Sequence, residues 1–256
     1  MKKLFIAIFT VAASVSANAQ IIKSNLLKDA KEGAPIETGV YGAKDDAARL
    51  DAWSGAFVSK PTAVESPVVV APLSYPGYNE GGPAIKLGTP KGVKGTRFSV
   101  YTIGTKKEYS KGALYLSCLV NFARVGGDNW TDVLGLSANA TGASNRAAIK
   151  VKKQGNDGIL FATNVNKAVA ECPTVFDYDK THLVVLKLDY ANQKVSLFVD
   201  PKAGADEPAE ADVVASGDEE NVLKHAIRSI SLRNRSGHDG AVGSIRLARS
   251  WASIFE

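Results

Sequence analysis

THLVVLKLDYANQKVSLFVDP, Thr181 to Pro201, holds two apolar runs around a short polar break. His182 to Tyr190 is rich in β-branched and large apolar residues. Ala191-Asn192-Gln193 is a turn candidate. From Lys194 to Asp200 the chain alternates, with Val195, Leu197 and Val199 on one face and Lys194, Ser196, Phe198 and Asp200 on the other. A period of two is that of a pleated strand, and proline cannot continue a ladder, so the stretch predicts an antiparallel hairpin ending at Pro201. We expect this hairpin at the centre of a sheet.

Working outward, strands are expected over Ala84–Leu87, Thr96–Ile103, Ala113–Phe122, Thr131–Ser137, Arg146–Lys153, Ile159–Asn164, Ala226–Asn234 and Gly243–Arg249. Glu37–Tyr41 and Gly55–Val58 read as edge strands. Asp45 to Ala52 has the pattern of about two helical turns. Trp53 is expected over the end of the core, and Trp251 within it. Pro201 to Glu220 reads as a long acidic loop. No strand is followed by a long amphipathic helix, which points to antiparallel sheets rather than βαβ units. About ten to twelve strands with long irregular connections suit a two-sheet antiparallel β-sandwich better than a barrel.

The N-terminus carries an export pattern. Lys2 and Lys3 precede an apolar run, Leu4 to Val15, that is too short to span a bilayer, and Ala17-Asn18-Ala19 is a cleavage signal. Residues 1–19 are therefore expected to be removed, 20–52 to form a weakly helical lead-in with the first edge elements, and 53–256 to form the sandwich. The residue directly after the cleavage point is Gln20 rather than a cysteine, so a periplasmic or secreted protein without a lipid anchor is expected, and no later run suits a membrane span. Without Lys2 and Lys3 the 31 basic residues fall to 29 against 26 acidic ones. That balance does not point to nucleic acid. In an oxidising compartment Cys118, in a strand, and Cys172, in a loop before Pro173, can pair as a disulfide or remain two thiols.

Four blocks carry a resemblance: Leu73-Ser74-Tyr75-Pro76-Gly77-Tyr78 with Ala84-Ile85-Lys86-Leu87-Gly88; Gly112 to Phe122; Thr181 to Pro201; and Ile230-Ser231-Leu232-Arg233 with Ile245 to Ile254. In that order they resemble the LamG-like, concanavalin A-like jelly-roll domains of secreted bacterial proteins, including those of Bacteroidetes. The resemblance covers Trp53 to Ile254 and implies two curved antiparallel sheets. Relatives of that fold bind glycans, bind proteins or cleave polysaccharides, so the resemblance implies a fold rather than a reaction.

The residues themselves point to binding before catalysis. The paired carboxylates of a retaining glycosidase strand, Glu-x-Asp-x-x-Glu, are absent, as are G-x-S-x-G and H-E-x-x-H. His182, Tyr190 and Arg97 are of the types a polysaccharide lyase uses, but their spacing does not link them. Sugar binding needs an aromatic face for the ring and amides or acids for the hydroxyls. Asp128-Asn129-Trp130, in a glycine-rich turn, supplies all three, and Tyr75 and Tyr78 offer a second platform. The competing readings are a rim residue over the core for Trp130 and a loop clamp for the two tyrosines. Arg146, Lys150 and Lys152 share a strand face that would hold an acidic polysaccharide or simply meet solvent. Calcium is a candidate cofactor, at Asp128, Asn129 and Asp132 or at Asn156 and Asp157. The expected partner is a glycan, the alternatives being an envelope protein or a polysaccharide substrate.

Overall fold

A computed structural model describes residues 21–37, 50–55, 64–78, 82–104, 108–139, 145–155 and 158–256. The expected export segment, the Asp45 helical turns, the strand Glu37–Tyr41 beyond Glu37 and the Asn156–Asp157 pair lie outside them. Among the described residues there are fifteen strands: β1 (Ile21–Lys23), β2 (Trp53–Gly55), β3 (Val69–Val70), β4 (Ala84–Leu87), β5 (Thr96–Thr102), β6 (Ala113–Arg124), β7 (Thr131–Ser137), β8 (Asn145–Gln154), β9 (Gly158–Val165), β10 (Ala168–Phe176), β11 (Thr181–Asp189), β12 (Lys194–Val199), β13 (Val213–Ser216), β14 (Ser229–Arg235) and β15 (Asp239–Ala248). No helix among these residues is long and apolar enough to cross a membrane.

The strands form two antiparallel sheets packed as a β-sandwich. The first runs β13-β12-β11-β6-β15-β4-β3, with β1 also on β15, and the second runs β10-β9-β8-β7-β14-β5-β2. The chain crosses between sheets after β1, β2, β4, β5, β6, β10, β13 and β14, and β6 is flanked by β11 and β15, strands far from it in sequence. The expected hairpin is present as β11 and β12, with Val184 opposite Val199 and Asp189 opposite Lys194. Its turn is closed by the Asp189 carboxylate, which accepts from the backbone N–H of Ala191 and Asn192 at 3.0 and 3.1 Å. Partial burial pushes the Asp189 carboxyl up, but these bonds, with one from the Asn192 side chain at 2.8 Å, outweigh it and hold the carboxyl below its ordinary range. The middle of the sheet, however, is β6 rather than the hairpin.

Alternation explains where each side chain goes. Leu114, Leu116, Val120 and Phe122 of β6 enter the space between the sheets, where they meet Val184, Leu186 and Leu188 of β11 and Ile149, Val151, Ile159 and Phe161 of the opposite sheet. The other face of β6 is not solvent. Tyr115 and Leu119 join Leu183, Val185, Phe198, Trp251 and Ile254 in a second, smaller core on the outside of the first sheet. This is why β6 and β11 read as apolar on both faces.

Several expectations are corrected here. Cys172 lies in β10, not in a loop, and Cys118 lies in β6. Both are buried and unpaired. Each packs into the common core from a different sheet. Burial pushes the Cys118 thiol up to about 12, so it packs as a small hydrophobe. The acidic stretch after Pro201 contains a strand, β13, which extends the first sheet beyond β12. The lead-in is held rather than loose: Leu27 is 2 % exposed within the core, and Trp53 Nε1 donates to the Leu26 carbonyl at 3.1 Å. Farther along, the Glu37 carboxylate accepts from Arg97 Nε at 2.9 Å and Ser99 Oγ at 2.6 Å, tying the chain to β5.

At one end of the sandwich two turns touch. A Cβ on Gly126 would stand 2.7 Å from the Gly237 backbone, so only glycine permits the approach. The Gly126 N–H donates to His238 Nδ1 at 3.0 Å, and the ring is 2 % exposed. Burial, with Arg235 and Arg124 nearby, lowers the His238 pKa to about 4. A base whose pKa falls on folding is protonated more readily when unfolded. Its contribution is therefore complete above about pH 6.5 and is lost as the pH falls from there towards 4, a change of about 3 kcal/mol. Urea unfolding at pH 7 and pH 4.5 should show this loss, and His238→Asn, whose side-chain oxygen can replace Nδ1, should show a shallower pH slope. An unchanged slope in the variant would refute the assignment.

Candidate functional site

The outer face of the second sheet carries a row of polar side chains locked to one another. Strand pairing builds it: Asp132 of β7 stands opposite Lys150 of β8, and Gly135 of β7 lies between Ala148 of β8 and Ser231 of β14. Asp132 is the hub. Its side chain is 7 % exposed and meets the Lys150 ammonium at Oδ1 and Arg233 Nη2 at 3.0 Å from Oδ2. Asn145 Nδ2 donates to Oδ2 at 2.8 Å, and Ser231 Oγ donates to Asn145 Oδ1 at 2.5 Å. The Asn145 amide crosses directly over Gly135, where a Cβ would sit 2.5 Å from its Cγ. A glycine inside a strand usually marks such a close approach. The Arg233 guanidinium rests 5.2 Å from the Phe98 ring centroid on the next strand, β5. Each charge is paired, and a register shift between Asp132 and Leu134 marks a bulge beside the hub.

Trp130 flanks this row at the start of β7. It is half-buried, its Nε1 donates to Glu171 Oε1 at 2.7 Å, and Lys152 Nζ stands 4.5 Å from its ring centroid. Lys152 and Glu171 are themselves 3.6 Å apart. The indole is thus oriented by an acid on its edge and a cation on one face. Asp128 and Asn129 do not join the row. Both are exposed in the turn, and Asp128 pairs with Lys153 at 3.2 Å with its side chain 86 % exposed, a contact of little energetic weight.

Tyr78 is not a stacking platform. It is 4 % exposed, on the first sheet's outer side, where Ser117 Oγ lies 2.7 Å from its hydroxyl and the hydroxyl donates to the Ser244 carbonyl at 3.2 Å. Burial raises its pKa to about 12, and the Arg246 guanidinium covers its ring at 4.5 Å. Tyr75 is half-buried and packs against the same outer core. The Tyr75 carbonyl accepts from the Tyr78 N–H at 3.1 Å around Pro76-Gly77, with Gly77 at φ 76°, so the two tyrosines act as a loop clamp.

The calcium and lyase readings also change. Both Asp132 oxygens face cations or an amide N–H, which leaves no ligand geometry for calcium at Asp128-Asn129-Asp132. No group of three or more His, Cys, Asp or Glu side chains placed to hold a metal ion occurs among the described residues. His182 is buried, with Nδ1 2.7 Å from Asp200 Oδ2 and Nε2 3.1 Å from the Asp177 carbonyl. Tyr190 donates to backbone carbonyls, the shorter bond being 2.7 Å to His225, and Arg97 is held by Glu37. These three side chains do not converge. Arg146, Lys150 and Lys152 do share an outer face, but each already has a partner: Asn166 at 3.1 Å, Asp132 and Glu171.

The sequence reading missed Asn145, Ser231, Arg233 and Glu171. The available signal was Gly135 inside an otherwise apolar strand, together with Lys150 and Lys152, then Arg233 and Arg235, at alternate positions. No protein-family model and no curated protein matches the chain. Among solved structures it is similar to a SAP-like pentraxin from Limulus polyphemus, at TM-score 0.41 and 9% identity over 64% of this chain and 74% of that one. It is likewise similar to a cellulose-induced protein, Cip1, at 0.45 and 12% over 77% and 91%, and to a sialidase at 0.44 and 12% over 78% of this chain but only 17% of that one.

Proposed function

We propose that the chain is an exported carbohydrate-binding protein whose ligand lies along the outer face of the second sheet, beside Trp130. The observation that carries this reading is the oriented, half-exposed indole of Trp130, set beside a hydrogen-bonded row in which Asn145, Lys150 and Arg233 keep partial exposure and are fixed by the buried Asp132 and Ser231. Sugar recognition uses this combination, a ring to stack on and polar groups fixed in advance so that little ordering is lost on binding. The cations on this face are held by acids, Lys150 and Arg233 by Asp132 and Lys152 by Glu171, which leaves a net charge of only +1 and favours hydroxyl-rich neutral sugars over polyanions.

A glycan array with the wild type and Trp130→Ala tests it. Binding to neutral glycans should fall roughly ten-fold or more in the variant. It should persist in 0.5 M salt, about the point where surface charge is largely screened, and be indifferent to calcium chelation. Unchanged binding in Trp130→Ala, or binding confined to acidic glycans and abolished by salt, would remove this reading.

A further inference from the structure

Between β12 and β13 the segment Lys202 to Ala211 runs over the outer face of the first sheet and pairs with no strand. Its ten residues are four alanines, one glycine, one proline and four charged residues, so it has no large apolar side chain to bury. Ala203 and Ala211, near its ends, pack against the outer core, and the Ala205 carbonyl accepts from Trp251 Nε1 at 2.9 Å. At its middle the Glu207 carboxylate accepts from Lys187 Nζ at 2.6 Å and from the Tyr115 hydroxyl at 2.8 Å.

Strand register builds the floor beneath Glu207. Tyr115 of β6 stands opposite Lys187 of β11, Lys187 opposite Ser196 of β12, and Ser196 opposite Val214 of β13. At the usual spacing of strands this row is roughly 14 Å long. Glu207 divides the space above it. One cavity of about 620 Å³ reaches Tyr115 and Trp251, another of about 430 Å³ reaches Lys187, Ser196 and Phe198, and Glu207 is in the wall of both. The charges sort by element. Asp206, Glu207 and Glu210 belong to the segment and Glu256 to the chain end, whereas Lys187 and Lys194 belong to the sheet and Arg249 follows β15. A basic and aromatic face is therefore covered, and neutralised, by a piece of chain with little apolar burial and no ladder bonds. Local opening draws on segments of that kind.

We propose that Lys202–Ala211 is an autoinhibitory strap over a second ligand site, and that the Glu207 carboxylate holds the place of a carboxylate on an acidic sugar chain. When the ligand displaces the strap, its carboxylate takes the Lys187 ammonium and the Tyr115 hydroxyl, a charge-assisted pair. Its ring lies on the aromatic side chains that the strap uncovers, Tyr115, Phe198 and Trp251. A uronate brings both the acid and the ring, and an acidic peptide brings the acid alone. Because the strap competes, the apparent affinity is lowered by the small fraction of open molecules. The site is on the other sheet from Trp130 and is independent of the reading above.

The three tryptophans separate the two sites. Trp53 Nε1 donates to the Leu26 carbonyl, Trp130 Nε1 to Glu171 and Trp251 Nε1 to the strap. The test follows these indole N–H signals by ¹⁵N-edited NMR while the full chain is titrated with trigalacturonate, cellotriose and triglutamate. Trigalacturonate should move the Trp251 signal and leave that of Trp53, the control for an intact core, in place. Cellotriose should leave the Trp251 signal unmoved; any effect it has at Trp130 concerns only the neutral-glycan face. Glu207→Gln, which weakens the hold of the strap, should tighten trigalacturonate binding roughly ten-fold. Adding Lys187→Gln should reverse that gain. A Trp251 signal that trigalacturonate does not move in Glu207→Gln, an equal response to cellotriose, tighter binding of triglutamate, or unchanged affinity in either variant overturns the proposal.

Discussion

Asp132→Ala should lower the unfolding free energy by about 3–5 kcal/mol. The carboxylate is 7 % exposed and faces two cations, with the Lys150 side chain 14 % and the Arg233 side chain 25 % exposed. Truncation leaves both charges in a poorly hydrated place without their counter-ion, and it removes the acceptor of the Asn145 amide. Uncompensated charge, rather than the lost attraction, dominates such a cost. For a chain of this size the melting temperature should drop by roughly 10 °C. Asp132→Asn, which keeps the shape but not the charge, should fall between the two. Thermal and urea unfolding of the three proteins decide the matter. A loss under about 1 kcal/mol for Asp132→Ala would show that the cluster is well solvated and that its order is not imposed by the sheet. The same variant should weaken neutral-glycan binding, because Asn145 and Ser231 would lose their fixed orientation.

Phe161→Ala should cost a similar amount, about 3–5 kcal/mol, for a different reason. Phe161 is fully buried on the inner face of β9. It meets Phe176 edge-on at 5.2 Å and the His182 ring at 6.1 Å. His182 in turn bridges the Asp200 carboxylate and the Asp177 carbonyl, which joins the entry to β11 with the exit from β12. Removing the phenyl ring leaves a cavity that two sheets cannot close without breaking their register, and it withdraws the wall that keeps His182 in place. The glycan face lies on the other side of the second sheet, so binding below the melting transition should survive. Wild-type-like stability would mean that the core relaxes freely around this site, and loss of binding at low temperature would mean that the two faces of the sheet are coupled.

Much of the fold was legible because strands advertise themselves locally. The hairpin at β11 and β12, the long two-faced strand β6 and the alternation of Thr96 to Ile103 all follow from nearest-neighbour geometry. Short elements were less legible. β13 was hidden in an acidic loop because two of its four residues, Val213 and Ala215, are inward-facing while Val214 and Ser216 are exposed, too brief a pattern to stand out among carboxylates. Cys172 was misplaced because Pro173 signals a loop, whereas β10 is an edge strand whose register shifts between Glu171 and Val175.

Of the proposed site the sequence singled out Trp130, Lys150 and Asp132, but not that they are neighbours. Trp130 lies beside the polar row; Asp128 and Asn129 remain in solvent, and Tyr75 and Tyr78 clamp a loop on the other sheet. An aromatic residue looks alike in sequence whether its ring meets water or a second core, because that depends on what covers it, and here the cover is Trp251, Phe255 and Arg246 from the end of the chain.

By itself the sequence determined the class of element, the antiparallel character and the inward face of most strands, since a pleat of period two is a property of consecutive residues. Tertiary structure alone decided which outward residues form a site. Asp132, Asn145, Ser231 and Arg233 become one array only when β14 pairs with β7 and the absence of a side chain at Gly135 lets an amide cross the strand. Pairing of strands distant in the chain, and the space left between them, is information that no local pattern carries.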